Sequence, residues 1–198
     1  MGLKIGITGG IGSGKTTVCK IFATLQIPIY YADDRAKILM IEDEGLKKSL
    51  IETFGKETYL PSGLINRPYL ANIVFNDQSA LEKLNAIVHP AVKKDGIAWA
   101  ESHADAPYTL REAALIYESG IDKTLDYVIV VTAPEDLRIQ RVMQRDGVTE
   151  AAVRARIDKQ WPESEKIKRA HFVIYNDGKQ SLVKQVLIIH KEILKNLP

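Results

Sequence analysis

Cysteine is nearly absent: Cys19 is the one thiol in 198 residues, so no internal disulfide can hold the chain. Its place on an apolar helical pattern marks a packed side chain. Missing too is any apolar run long enough to cross a bilayer. Met1 and Gly2 lead straight into an apolar strand without a signal-peptide pattern, and Ile5 and Gly6 leave no Ser or Thr for a myristoylation site. Excess charge of one sign is lacking, since 27 Lys and Arg stand against 25 Asp and Glu, a formal +2 that leaves no footprint for nucleic acid. No segment repeats and none is of low complexity. These absences exclude a disulfide scaffold, a repeat array and a partnership with membrane or nucleic acid. The remaining expectation is a cytoplasmic globular protein, monomeric or weakly homo-oligomeric, one domain with room for inserted lobes.

Glycine, by contrast, is concentrated where it matters. The strand-like run Leu3-Lys4-Ile5-Gly6-Ile7-Thr8 enters Gly9-Gly10-Ile11-Gly12-Ser13-Gly14-Lys15-Thr16-Thr17, which fits the phosphate-loop pattern G-x-x-x-x-G-K-[ST]. Val18, Ile21, Phe22 and Leu25 follow at helical spacing. Glycines let the backbone turn so that its N–H groups converge, and the positive end of the next helix faces the same point. The residues expected to cradle the phosphates of a nucleoside triphosphate are therefore Gly10, Ile11, Gly12, Ser13, Gly14, Lys15, Thr16 and Thr17. Lys15 reaches the β- and γ-phosphates, and the Thr16 hydroxyl is the expected Mg²⁺ ligand. No Asn/Thr-Lys-x-Asp base-reading pattern of a GTPase occurs.

Further along, Ile27-Pro28-Ile29-Tyr30-Tyr31 reads as a short second strand. It ends in Ala32-Asp33-Asp34, where either acid can cap a helix from Arg35 or face the crevice at the strand ends, with capping the expectation for Asp34. From Ile38 to His103 the pattern is helical, broken at Gly55, Pro61-Ser62-Gly63 and Arg67-Pro68, and Pro90 is expected to start or kink a helix. His89 reads as packed or capping rather than catalytic. Strand character resumes at Pro107, and Arg111-Glu112 inside it is either a strand end turning into the cleft or an edge ion pair. Asp126 to Thr132 is the clearest buried strand, yet no acid follows it, so the usual metal-ordering aspartate is missing. Pro134 opens a helix carrying Arg138, Arg141 and Arg145. Arg154, Arg156, Lys166, Lys168 and Arg169 come next, either as a solvated face or as a closing lid. A last strand, His171 to Tyr175, leads to Asn176-Asp177-Gly178 and an amphipathic helix. Alternating strands and helices give a doubly wound α/β fold.

The series Thr8-Gly9-Gly10-Ile11-Gly12-Ser13-Gly14-Lys15, Ala32-Asp33, Leu64 to Arg67, His89-Pro90, Gln144-Arg145-Asp146 and Val173 to Gly178 resembles the dephospho-coenzyme A kinases over nearly the whole length. The resemblance implies a phosphate-loop kinase fold with a mostly parallel sheet: a core of about 1–37, 104–138 and 171–198, a helical substrate lobe of about 38–103 and a lid of about 139–170. It implies transfer of the ATP γ-phosphoryl group to the ribose 3′-hydroxyl of dephospho-coenzyme A, the last step of coenzyme A synthesis. Asp33 then orients that hydroxyl and accepts its proton, Arg141 or Arg145 with Arg156 neutralises the migrating charge, and Asn176 lies beside the adenine. The chain departs from the family's usual pattern at Tyr31, where an acid is common, at Lys37, where an arginine is common, and at Ala113-Ala114-Leu115. The competing expectations are a kinase of another small alcohol or nucleoside monophosphate, and a non-catalytic nucleotide switch.

Overall fold

The apolar runs assemble into one parallel sheet. The structure, a computed structural model, describes residues 2–197. Strands β1 (Leu3–Thr8), β2 (Ile29–Tyr31), β3 (Tyr108–Glu112), β4 (Tyr127–Thr132) and β5 (Phe172–Tyr175) lie in the order β2-β3-β1-β4-β5. Ile5 of β1 stands opposite Leu110 on one side and Tyr127 on the other. With every strand parallel, all carboxyl ends open on one edge; the chain builds β2 and β3 on one side of β1, then crosses from β3 to build β4 and β5 on the other. That switch point is where α/β folds bind ligands.

Helices α1 (Lys15–Thr24) and α9 (Leu182–Lys195) close one core with the sheet. Val18, Cys19 and Phe22 from α1 and Val186, Ile189 and Ile193 from α9 are buried against Ile5, Ile7, Leu110, Ile129, Val131 and Ile174. Each such aliphatic side chain contributes roughly 1.5–3 kcal/mol when it leaves water. Between β4 and β5 come α6 (Glu135–Asp146), α7 (Glu150–Ile157) and α8 (Glu163–Arg169). Pro134 precedes α6, whose first turn holds Glu135 and Asp136, and Gly147 (φ 65°) ends it. Thr149 caps α7 by accepting from the Ala152 N–H. Ile139, Val142 and Val153 form a small separate core, and the side chain of Ile11 packs against it.

Residues Ala32–Trp99 form a compact unit of their own. It holds α2 (Ala32–Glu42), α3 (Glu44–Phe54), α4 (Arg67–Asn76) and the start of α5 (Gln78–Glu101). Gly55 ends α3, Asn66 caps α4, and Tyr59 and Ile65 form a bridge around the Pro61-Ser62-Gly63 turn. Pro90 starts no new helix, because α5 runs through it to Glu101. None of the described helices is long and apolar enough to cross a membrane.

One expectation is overturned. The helix after β2 begins at Ala32 rather than Arg35, so Asp33 and Asp34 lie in its first turn and neither stands ahead of it as a cap. Strand passes to helix with no loop between, which leaves no extended residue for capping. Asp34 instead pairs with Lys37 at 2.6 Å, both side chains more than half exposed.

A surface pair one turn apart contributes less than about 1 kcal/mol, whereas a true N-cap contributes about 1. Asp43 is such a cap, accepting from the Leu46 N–H at 2.9 Å. Asp43→Ala is therefore expected to lower the melting temperature by roughly 2–4 °C, and Asp34→Ala by less than half of that. Thermal melts of both variants check this, and equal losses would return Asp34 to a capping role.

Candidate active site

The phosphate loop sits at the carboxyl edge of β1. Ser13 N–H donates to Gly10 C=O at 3.1 Å, and Thr17 and Val18 N–H both donate to Gly14 C=O, so the turn passes directly into α1. Gly14 has φ 93°, and a β-carbon there would run into the Asn176 carboxamide. Thr16 and Thr17 are exposed at the start of α1. Among the described residues the Ser13 hydroxyl is buried without a hydrogen-bond partner, a polar atom inside a cradle of amides.

Lys15 Nζ donates to Gly9 C=O at 3.0 Å and lies 3.9 Å from Glu112 Oε1, with both side chains about nine-tenths buried. Register explains the meeting: Glu112 is the last residue of β3 and stands opposite Ile7 of β1. The carboxylate in that strand is therefore an ion-pair partner of the loop lysine, facing the crevice. Arg111 turns elsewhere, over the ring of Tyr30 at 5.2 Å. Below the pair lies Cys19, whose thiol is pushed up to about 12 by burial first, then by the Glu112 carboxylate, against a lowering by Lys15. It is the packed thiol that the sequence indicates.

The loop is held from outside by side chains that arrive late in the chain. Asn176 Nδ2 donates to Ser13 C=O at 2.8 Å. Arg141 donates to Asn176 C=O at 3.0 Å, to its Oδ1 at 3.4 Å and to Gly12 C=O at 3.5 Å. Arg141 and Asn176 thus meet each other and the loop. Arg145 and Arg156 converge elsewhere, on Asp146: Arg145 bonds both carboxylate oxygens at 2.7 and 3.0 Å, and Arg156 bonds one at 3.0 Å. Arg145, then Arg156, holds that carboxyl below its usual range.

The other cations of this stretch have partners as well, so it is no bare solvated face. Arg138 is buried and pairs with Glu163 at 2.9 Å. Arg154 bridges Glu135 and Glu150. Lys166 is fully buried and pairs with Glu118 at 2.7 Å. Glu118 also accepts the Trp161 N–H at 2.9 Å. Sequence reasoning missed Glu112 as the lysine's partner and missed Gln160, whose Oε1 accepts the Ile11 N–H at 3.0 Å. A carboxylate in a buried strand was the signal for the first; an isolated glutamine gives none.

Asp33 is exposed in the first turn of α2, two residues beyond the end of β2. Within the helical unit, Met40, Ile41, Leu64, Leu70, Val74 and Leu84 line an apolar cavity of about 560 Å³, to which Lys37 and Arg67 contribute the charged groups.

The family model for dephospho-CoA kinase matches residues 3–181. The dephospho-CoA kinase of Geobacillus kaustophilus is 39% identical over 195 residues, covering 97% of each chain. Among solved structures, a Thermus thermophilus protein superimposes with a TM-score of 0.85 at 34% identity, covering 100% of this chain and 98% of that one. Dephospho-CoA kinase from Campylobacter jejuni gives 0.72 at 29% identity over 98% of each.

The Cys19 thiol has a consequence at high pH. Unfolded, it ionises near 9, whereas folded it keeps its proton to about 12. Above pH 9 the unfolded chain therefore binds fewer protons, and stability falls as pH rises through this window by up to about 1.4 kcal/mol per pH unit. Cys19→Ala is expected to flatten that fall while costing some core packing at every pH. Urea unfolding of both proteins between pH 9 and 11 is the check; parallel slopes would remove Cys19 as a contributor.

Proposed function

The chain belongs to the dephospho-CoA kinase family, and from that premise we propose how its own residues carry the reaction. The protein transfers the γ-phosphoryl group of ATP to the 3′-hydroxyl of the ribose of dephospho-coenzyme A, yielding coenzyme A and ADP. The observation that carries this reading is the strand, glycine loop and helix of β1, residues 9–14 and α1, with Lys15 held at the carboxyl edge of the sheet.

Phosphoryl transfer has a loose transition state, so positioning and charge neutralisation supply most of the acceleration. Lys15 exchanges the Gly9 carbonyl for phosphate oxygens, while Glu112 stays beside it and fixes where the ammonium points. Ser13, buried and without a partner among the described residues, finds an acceptor when the cradle fills. Arg141 and Asn176 keep the outer wall of the loop in place and flank the nucleotide. Arg145 and Arg156 are the cations we assign to the migrating charge. Their pairing with Asp146 is exposed, and such pairs cost little to break. Arg138 and Lys166 are too deeply paired for that task.

Among the described residues no three His, Cys, Asp or Glu side chains cluster to hold a metal ion. That suits Mg²⁺, which prefers one or two protein oxygens with substrate phosphates and waters. Thr16 would hold it, and the ion would neutralise phosphate charge. Asp33 orients the 3′-hydroxyl and takes its proton. The mostly apolar cavity of the helical unit, with Lys37 and Arg67, suits a substrate that joins a long arm with aliphatic stretches to a diphosphate. We assign it to the pantetheine arm and diphosphate of dephospho-coenzyme A.

A coupled assay of ADP release, with dephospho-coenzyme A against other alcohols and nucleoside monophosphates, tests the assignment. Good turnover of a monophosphate with none of dephospho-coenzyme A would refute it. Asp33→Asn keeps size and hydrogen bonding without the base, so turnover is expected to fall roughly 10²–10⁴-fold with the melting temperature unchanged. Lys15→Met is expected to lower turnover more than it weakens ATP binding. Normal turnover in either variant would remove that residue from its role. Arg67→Ala is expected to raise KM for dephospho-coenzyme A while leaving that for ATP in place, and the reverse pattern would empty the cavity of its assignment.

A further inference from the structure

We propose that Gln160 is a positioning residue that ties the first half of the phosphate loop to the α7–α8 junction, so that filling the loop is felt in the lid. The inference rests on the loop being the ATP site. Gln160 lies in the connection between Ile157, the end of α7, and Glu163, the start of α8. Its carboxamide oxygen accepts the Ile11 N–H at 3.0 Å across 149 residues of sequence.

Two further contacts act on the same few atoms. The Ile11 side chain packs on the small core of Ile139, Val142 and Val153. Next to it, the Arg138–Glu163 pair presses on Gly10 so closely that a β-carbon there would strike the guanidinium. The junction is anchored on its other side too. Glu118 receives the Trp161 N–H and the buried Lys166 ammonium. Lys166 also reaches Ala114 C=O at 3.4 Å, the carbonyl that accepts the Thr8 hydroxyl at the end of β1. Gln160 therefore stands where a segment fixed to the sheet touches the amide array of the cradle.

The chemistry favours a neutral amide at this point. An aliphatic side chain leaves the Ile11 N–H without an acceptor and the peptide free to rotate. A carboxylate keeps the acceptor but sets a negative charge beside a bound triphosphate. The carboxamide holds the peptide without repelling the ligand. Gln160 touches no reacting atom, so its effect falls on geometry, and a displacement near 1 Å at a phosphoryl site costs on the order of 10²-fold in rate.

Trp161, the next residue, supplies a reporter. Its ring stacks on Tyr117 at 6.3 Å and lies under the Arg169 guanidinium at 4.9 Å. In full-length protein carrying Trp99→Phe, a non-hydrolysable ATP analogue is expected to change Trp161 emission. Adding Gln160→Ala is expected to abolish that change while calorimetry still records nucleotide binding, and to lower kcat by about tenfold to a hundredfold with KM for dephospho-coenzyme A held. Gln160→Glu retains the acceptor, so it should keep the emission change and fold normally even if the alanine variant does not, with weaker ATP binding. An unchanged emission response or unchanged kcat in Gln160→Ala overturns the proposal, as does loss of the response in Gln160→Glu. Absence of nucleotide binding in the parent protein would instead overturn the ATP reading itself.

Discussion

Asn176 Nδ2 donates to the Ser13 carbonyl at 2.8 Å, and around that bond the rest of the site is arranged. A loop with glycine at four of the six positions from Gly9 to Gly14 has few side chains to pack, and glycine gives up more conformational entropy on ordering than any other residue. Its amides converge only if other parts of the protein impose the shape. Asn176 does so from the end of β5, Arg141 from α6, and Gln160 with the Arg138–Glu163 pair from the far side. Each hydrogen bond contributes about 1 kcal/mol net, so the loop's order is a sum over contacts from remote elements.

The ion pairs of residues 135–169 divide by burial, and the division sorts what is fixed from what can move. Lys166 with Glu118 and Arg138 with Glu163 have left water, and separating either pair would strand a charge in a poor dielectric. Arg145, Arg156 and Asp146 remain near solvent, where water replaces a lost partner readily. The same residue type, arginine, thus serves as bolt in one place and as reserve cation in another. Burial alone makes the difference.

Much of this was readable from the chain by itself. The buried strand Tyr127 to Thr132 and the phosphate loop announce themselves because each depends on local pattern. Pro134, Gly147 and Gly55 punctuate the helices where turn chemistry says they should. What could not be read depends on register or on distance along the chain. Glu112 looks like a misfit in a buried strand until pairing with β1 brings it to Lys15. Lys166 and Glu118 are 48 positions apart, so neither reveals the other in the sequence. Asp34 was misplaced for a smaller reason: β2 has three residues and passes directly into α2, leaving no room for a cap.

The strand order has a consequence for how the protein comes into being on the ribosome. β1 is the first strand in sequence but the central one in space, and its partners begin at Tyr108 and Tyr127. Residues 3–17 therefore emerge long before the strands that pair with β1 exist, while Ala32–Trp99 is a compact unit contiguous in sequence. The Asn176 brace and the α9 face of the core come later still. Long-range pairing of this kind is slow to form. A chain that stops at Glu101 lacks β3, β4 and the Asn176 brace and leaves its glycine loop without a shape, so the capacity to bind a nucleotide is among the last properties the growing chain acquires.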